Sequence, residues 1–272
     1  MGRHLPFVVS LTAHRRSRTG AGARTRSRDM FPELTRDDVF RLETRRLWLR
    51  WPRHSDAASI ARLAGEREVA EMTARIPHPY PPDLAAPYVL ETRRAAMEGA
   101  SLRLAMAPKA QPTRLLGMIG IEPGAAGEAE IGYWLGRPFW GQGLATEAAR
   151  AMIDAFFAFT DGEALAASVR VGNPASRRVL EKSGFVFEGP GFRNSTLRGS
   201  FPVDTFRLTR RDWASLKAWS RDGWAPARPQ APELVLVAGE ADDGEDADAP
   251  RHRASGSAAA TATGRPLFLA AE

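Results

Sequence analysis

Gly141, Gly143 and Ala145 stand two residues apart between a strand-like run, Ala129 to Leu135, and a helix-like run, Leu144 to Phe159. The unpaired N–H groups at a helix start, with the positive end of its dipole, hold an anion such as a pyrophosphate. Glycine at 141 and 143 lets the backbone approach that anion with no side chain in the way, and Ala145 is expected to keep the first turn slim for the same reason. Two other glycine-loop chemistries fail on the residues. A dinucleotide fingerprint needs a third glycine where Thr146 stands, within an open parallel sheet. A nucleotide P-loop needs Gly-Lys-Ser/Thr, which is absent. Taken alone, the loop is equally well a plain turn ahead of a core helix.

The chain has no cysteine. That excludes disulfides, zinc-thiolate sites and a cysteine-bound acyl intermediate. Gly-x-Ser-x-Gly and His-Glu-x-x-His are also absent, which removes serine-hydrolase and zinc-protease chemistry.

The elements around the loop alternate between strand and helix signals. Arg46 to Trp51 reads as a strand, and Ser55 as the cap of a helix with Ile60, Leu63, Ala64, Val69 and Met72 near a 3.6 period. Four prolines within 76–82 forbid regular structure there. Asp83 reads as the cap of a second helix that Gly99 closes. Leu102 to Met106, Leu115 to Ile121 and Ala129 to Leu135 read as strands, followed by the helix Leu144 to Phe159 and a strand from Leu165 to Val171. Asn173-Pro174 pairs a cap residue with proline at the first helical position, and Gly184-Phe185 ends that helix. Phe185 to Glu188 and Thr205 to Leu208 are the last strands, before a helix bearing Trp213 and Leu216. Glycine-rich turns are expected at 124–127 and 189–191. This meander of strands between helices implies an α+β fold with a mixed sheet covered by helices.

The 272 residues carry a net charge of +6, but unevenly. Residues 1–29 hold seven arginines and one acid, whereas 226–272 hold four basic and eight acidic side chains, leaving +4 between them. The basic character is therefore that of an arginine-rich leader, and it argues weakly for a nucleic-acid partner. The leader is expected to be disordered or an extension upstream of a true start at Met30. The Pro-rich, acidic and Ala/Thr/Ser/Gly-rich stretch 226–272 is expected to be a disordered tail. Residues 30–225 then form the domain. No run approaches eighteen apolar residues, so no membrane span or membrane partner is expected, and a cytoplasmic location is the expectation.

Two signatures resemble the GNAT superfamily of N-acetyltransferases. The first is Trp140-x-x-Gly143-x-Ala145, where that family carries Gln/Arg-x-x-Gly-x-Gly/Ala; Trp140 is the departure. That substitution, and the run EIGYWLGRPFWGQGLATEA, resemble the ribosomal-protein N-terminal acetyltransferase branch. The second is Asn173-Pro-Ala-Ser176 leading to Lys182-Ser-Gly184-Phe185. The likeness covers about Arg46 to Trp213. It implies a mostly antiparallel sheet in which the strand Ala129 to Leu135 splays from the strand Leu165 to Val171. Pantetheine would pair with backbone near Tyr133 and Leu135, and the N–H near Leu135 would face the acetyl oxygen. Trp140, Gly141, Gln142, Gly143, Leu144, Ala145 and Thr146 would hold the pyrophosphate of acetyl-coenzyme A. Asn173 would hydrogen-bond the pantetheine arm, and Ser176 would protonate the departing thiolate.

An attacking amine must lose a proton, and Glu130 at the head of the central strand is the first candidate base, acting directly or through water. Glu122 and Glu188 are lesser candidates, Tyr133 an alternative acid, and His78 a loop residue over the acceptor mouth. The expectation is direct acetyl transfer in a ternary complex to a protein N-terminus or small amine, with no metal, by a monomer or homodimer. Two competitors are a non-catalytic acyl-coenzyme A-binding module and nucleic-acid binding through the leader.

Overall fold

The computed structural model describes residues 30–222 apart from 125, 126, 196 and 198. The expectations for the leader 1–29, for the tail 226–272 and for the domain's last residues 223–225 lie outside the described residues.

Eight strands form one sheet. They are β1 (Arg41–Glu43), β2 (Leu47–Arg50), β3 (Leu102–Pro108), β4 (Gly117–Pro123), β5 (Ala129–Leu135), β6 (Ala164–Arg170), β7 (Val186–Ser195) and β8 (Gly199–Thr209). Their spatial order is β1-β2-β3-β4-β5-β6-β8-β7, and every neighbouring pair is antiparallel except β5 with β6. The fold is thus α+β with a mixed, mostly antiparallel sheet, as expected.

Helices cover both faces. On one, α4 (Leu144–Phe159) and α5 (Pro174–Lys182) bury Ile131, Tyr133, Leu135, Leu165, Ala167 and Val169 with Met152, Phe156 and Leu180. On the other, α1 (Ala57–Ala64), α2 (Arg67–Glu71) and α3 (Ala85–Met97) pack Ile60, Leu63, Val69 and Val89 on Met118 and Trp134. The side-chain alternation of β5 explains the split. Odd-numbered residues face α4, and Glu130 and Trp134 face α1. With both faces covered, all seven residues of β5 are buried. A last helix, α6 (Arg210–Asp222), docks on α4 through Trp213, which stacks on Phe157 and donates to Asp154 at 2.8 Å.

Several expectations need correction. Ser55 caps nothing. Asp56 takes the structural role, its carboxylate accepting from the Arg53 N–H and both Arg50 terminal nitrogens. The helix expected to run on to Met72 breaks at Gly65–Glu66 into α1 and α2. Asp83 lies inside a 3-10 turn, and α3 begins with no side-chain cap. Residues 189–191 are not a turn. They run within β7, where a bulge between Phe187 and Gly189 absorbs Glu188 and the strand continues to Ser195. The three-residue strand β1 was not anticipated, whereas α4 matches the expected bounds and α5 starts where Asn173-Pro174 placed it.

Candidate active site

The central strands part company. β5 and β6 pair in parallel at only two positions, Ala129 with Leu165 and Glu130 with Ala166. Beyond Glu130 the β5–β6 ladder stops, while β6 continues along β8 to Arg170. The hydrogen-bond alternation shows what this opens. Gly136 donates to the Leu116 carbonyl, and that register puts Trp134, Gly132 and Glu130 in bonded pairs with β4. Tyr133 and Leu135 therefore turn their N–H and C=O groups toward the gap. The Leu135 carbonyl is taken by the Trp140 indole N–H at 2.8 Å, leaving its N–H.

The glycine loop closes one end of the gap. Gly141 and Gly143 both adopt φ of +71°, a left-handed conformation that favours glycine, and a Cβ at Gly141 would meet nothing within 4 Å. Gly143 caps α4 without a side-chain hydrogen bond. The first intrahelical bond runs from the Glu147 N–H to the Gly143 carbonyl, so the N–H groups of Gly143, Leu144, Ala145 and Thr146 precede it. Gln142 is pinned at both ends, its amide donating to the Pro138 carbonyl and its own carbonyl accepting from Arg46. Trp140 anchors the loop to the end of β5 with its indole, and its backbone N–H bonds the Arg137 carbonyl. Ala145, in the first turn of α4, has its methyl fully buried in the core, so its small side chain also serves packing.

Arg46 went unread in the sequence. It reaches the loop by donating from Nη1 to the Gln142 carbonyl at 2.9 Å. Its Nε and backbone N–H meet Glu147 at 2.7 and 2.6 Å, and Thr44 Oγ1 donates to the same carboxylate at 2.7 Å. Burial raises the Glu147 pKa, but the hydrogen bonds from Thr44 and Arg46 outweigh it and hold the carboxyl below its usual range.

The α5 side of the gap carries hydroxyls and an amide. Asn173 Oδ1 accepts from the Ser176 N–H at 3.0 Å, which is its capping role. Its Nδ2 is buried with no hydrogen-bond partner, a donor left over for something else. Ser176 is fully buried, with its Oγ 2.9 Å from the Tyr133 hydroxyl, which also reaches the Ser176 carbonyl at 3.2 Å.

The candidate bases lie on the opposite face. Glu130 is 2 % exposed, accepts from Ser168 Oγ at 2.8 Å and pairs with Arg193. Glu122 stands directly across from it in the β4–β5 register and binds Arg75 at 2.9 Å and Arg103 at 2.5 Å. Glu188 is exposed in the bulge of the outermost strand, away from both. His78 is exposed with Nδ1 2.8 Å from the Gly65 carbonyl, a loop tie. The structure therefore brings Tyr133, Leu135, the loop 140–146, Asn173 and Ser176 together around the gap, with Glu130 at its closed end.

A concavity of about 800 Å³ lies elsewhere, between Met30, Pro123 and Phe159. It adjoins the C-terminal end of α4, roughly 20 Å along the helix from Gly143 at 1.5 Å per residue. Among the described residues there is no cluster of three metal-binding side chains, and no helix is long and apolar enough to cross a membrane.

Comparison with known proteins identifies the family. A family model described as an acetyltransferase (GNAT) domain matches residues 46–186. A probable N-acetyltransferase, YjcK, of Bacillus subtilis (strain 168) is 38 % identical over 93 residues, covering 33 % of this chain and 51 % of that protein. The ribosomal-protein-serine acetyltransferase of Escherichia coli (strain K12) is 38 % identical over 61 residues, 22 % of this chain and 34 % of the relative. The chain spans about half the length of most of the curated relatives it matches. Among solved structures, ribosomal-protein-S5-alanine acetyltransferase from Vibrio fischeri superposes with a TM-score of 0.56 at 19 % identity. It covers 64 % of this chain and 98 % of that one, and at such identity the likeness establishes a shared fold.

Proposed function

This chain belongs to the GNAT acetyltransferase family, and from that premise we propose that it moves an acetyl group from acetyl-coenzyme A directly to a primary amine in a ternary complex. The observation that carries the reading is the early parting of β5 and β6. It leaves Tyr133 and Leu135 with backbone groups facing a gap that ends at the uncapped start of α4. Asn173 Nδ2 supports it, because a buried donor without a partner suits a ligand that brings an acceptor into that gap.

The roles follow from position. The N–H groups from Gly141 to Thr146, with Arg46 beside them, bind the pyrophosphate. Tyr133 and Leu135 pair with the pantetheine arm as a neighbouring strand would. The Leu135 N–H donates to the acetyl oxygen as negative charge gathers there. Glu130 takes the proton lost by the amine, and Ser168 Oγ, 2.8 Å away, relays it from the α1 face of the sheet. The N–C bond forms as the C–S bond breaks, and Ser176, backed by the Tyr133 hydroxyl, gives the thiolate its proton. Likeness to ribosomal-protein acetyltransferases supports a protein N-terminus as acceptor, with a small amine as the other candidate.

The test is calorimetric titration of acetyl-coenzyme A into the wild type and Gly143→Glu, followed by assay of thiol release with amines. Binding that the variant loses, with thiol released, supports the reading. A folded wild type that binds nothing refutes it. Binding without transfer to any amine would leave an acyl-coenzyme A-binding module instead.

A further inference from the structure

Three guanidinium groups from distant segments meet on the α1 face of the gap. Arg75 follows α2, Arg170 ends β6 and Arg193 belongs to β7, and all three line one concavity of ≈ 50 Å³ with Met72, Ser168 and Phe201. No acidic residue is in its wall. Ser168 also bonds Glu130, so the concavity lies beside the proposed proton acceptor.

Glu130 pairs with Arg193, and Glu122 with both Arg75 and Arg103, so the carboxylates behind the concavity are each held by guanidiniums. Like charges packed this closely repel. Burial lowers the Arg193 pKa, and the nearby charge of Arg75 lowers it further. The forks are nonetheless held in place. Arg193 donates from Nε and Nη2 to Ser168 Oγ at 2.9 and 2.7 Å, and Arg170 bonds the Glu71 carbonyl and lies 4.1 Å over the Phe201 ring. Fixed, planar, clustered guanidiniums suit a planar two-oxygen anion.

We propose that this arginine pocket binds a carboxylate carried by the acceptor close to its amine, so that the substrates are acidic amines. The chemistry is that of a peptide starting with Asp or Glu, or of a small amino acid with the same side chain. The assignment rests on the acetyltransferase reading, because it takes the α1 face of the gap as the acceptor side. It goes beyond that reading by naming what the acceptor must carry.

The experiment compares thiol release from acetyl-coenzyme A with peptides differing only at the first residue, Asp against Asn and Glu against Gln. Free aspartate and a phosphoserine-starting peptide are added as further acceptors, and acetyl-coenzyme A binding is measured calorimetrically on the same protein. The acidic peptides are expected to show kcat/KM about tenfold to a hundredfold above their amides, the range of a charge-assisted hydrogen bond. Arg170→Gln is expected to bring that ratio close to one, and Arg75→Gln serves as a second variant if the first does not fold. Faster turnover of free aspartate than of the Asp peptide would place the carboxylate on a small molecule; the reverse would place it on a polypeptide. Equal rates for acid and amide, or a preference for phosphoserine, with acetyl-coenzyme A still bound, overturn the carboxylate pocket and leave the acetyltransferase standing. Neither binding nor thiol release with any amine overturns both.

Discussion

Arg46, the residue before β2, is bonded to Glu147 in the first turn of α4 through both its backbone N–H and its Nε. The contact joins the edge of the sheet to the start of the helix that follows the glycine loop. Its remaining reach, from Nη1 to the Gln142 carbonyl, fixes a positive charge beside the proposed pyrophosphate site. Arg46→Ala is expected to weaken acetyl-coenzyme A binding about tenfold, as removal of one charge-assisted contact does. Calorimetry on the variant checks this, and unchanged affinity would remove Arg46 from the site.

The same pair sets a pH dependence. The Glu147 carboxyl titrates below its ordinary value of 4.5 in the folded protein, so folding favours its ionised form. The stabilisation is fully present above the unfolded value and fades as pH falls through the folded one. The stability gap between wild type and Glu147→Gln, measured by urea denaturation, is expected to be widest near neutrality and to close on acidification below about 4.5. A gap that widened toward acid would contradict the assignment.

Ser176 and Tyr133 can be separated by substitution. Ser176→Ala leaves the tyrosine hydroxyl with the Ser176 carbonyl at 3.2 Å, so the fold is spared an orphaned donor. If Ser176 protonates the thiolate, kcat falls about a hundredfold while the KM for acetyl-coenzyme A hardly moves. Tyr133→Phe, which removes the supporting hydroxyl only, is expected to cost less. Steady-state kinetics on both variants decides the order.

Asp56 tests the framework of the acceptor side. Both of its oxygens bind Arg50, at 2.7 and 2.9 Å, with both side chains buried. Asp56→Ala strands a buried guanidinium and is expected to lower stability by about 3–5 kcal/mol. Denaturant melts give the number, and a loss under 1 kcal/mol would show that water reaches Arg50.

What the sequence disclosed follows a physical line. The α4 and α5 starts were legible because their signals are local: a left-handed glycine at 143, and Asn173-Pro174 as cap and first residue. Ser55 misled because the carboxylate one residue later is claimed by Arg50, a contact no window around the helix contains. β7 was cut short at Glu188 because Gly-Pro-Gly reads as a turn, whereas a bulge carries it through the strand. The loop and the Asn173–Ser176 motif were visible as patterns. Arg46 was not, since its meaning depends on Glu147, 101 residues away. Nor was the cluster of Arg75, Arg170 and Arg193, which only the packing of two strands and a loop assembles.

The parting of β5 from β6 has a further consequence. Beyond Glu130, β5 is chemically the rim of a sheet although it lies in the middle of one. A rim exposed on the outside of a protein invites other chains to add themselves. Here β6 and α5 wall it in, so only something slender can reach it. In the free protein the amide of Leu135 should trade its hydrogen with solvent more readily than that of Trp134, and filling the slot should slow it. Deuterium uptake with and without acetyl-coenzyme A would register the change at that position. A seam opened inside the sheet, not at its outer edge, gives other chains no edge on which to aggregate.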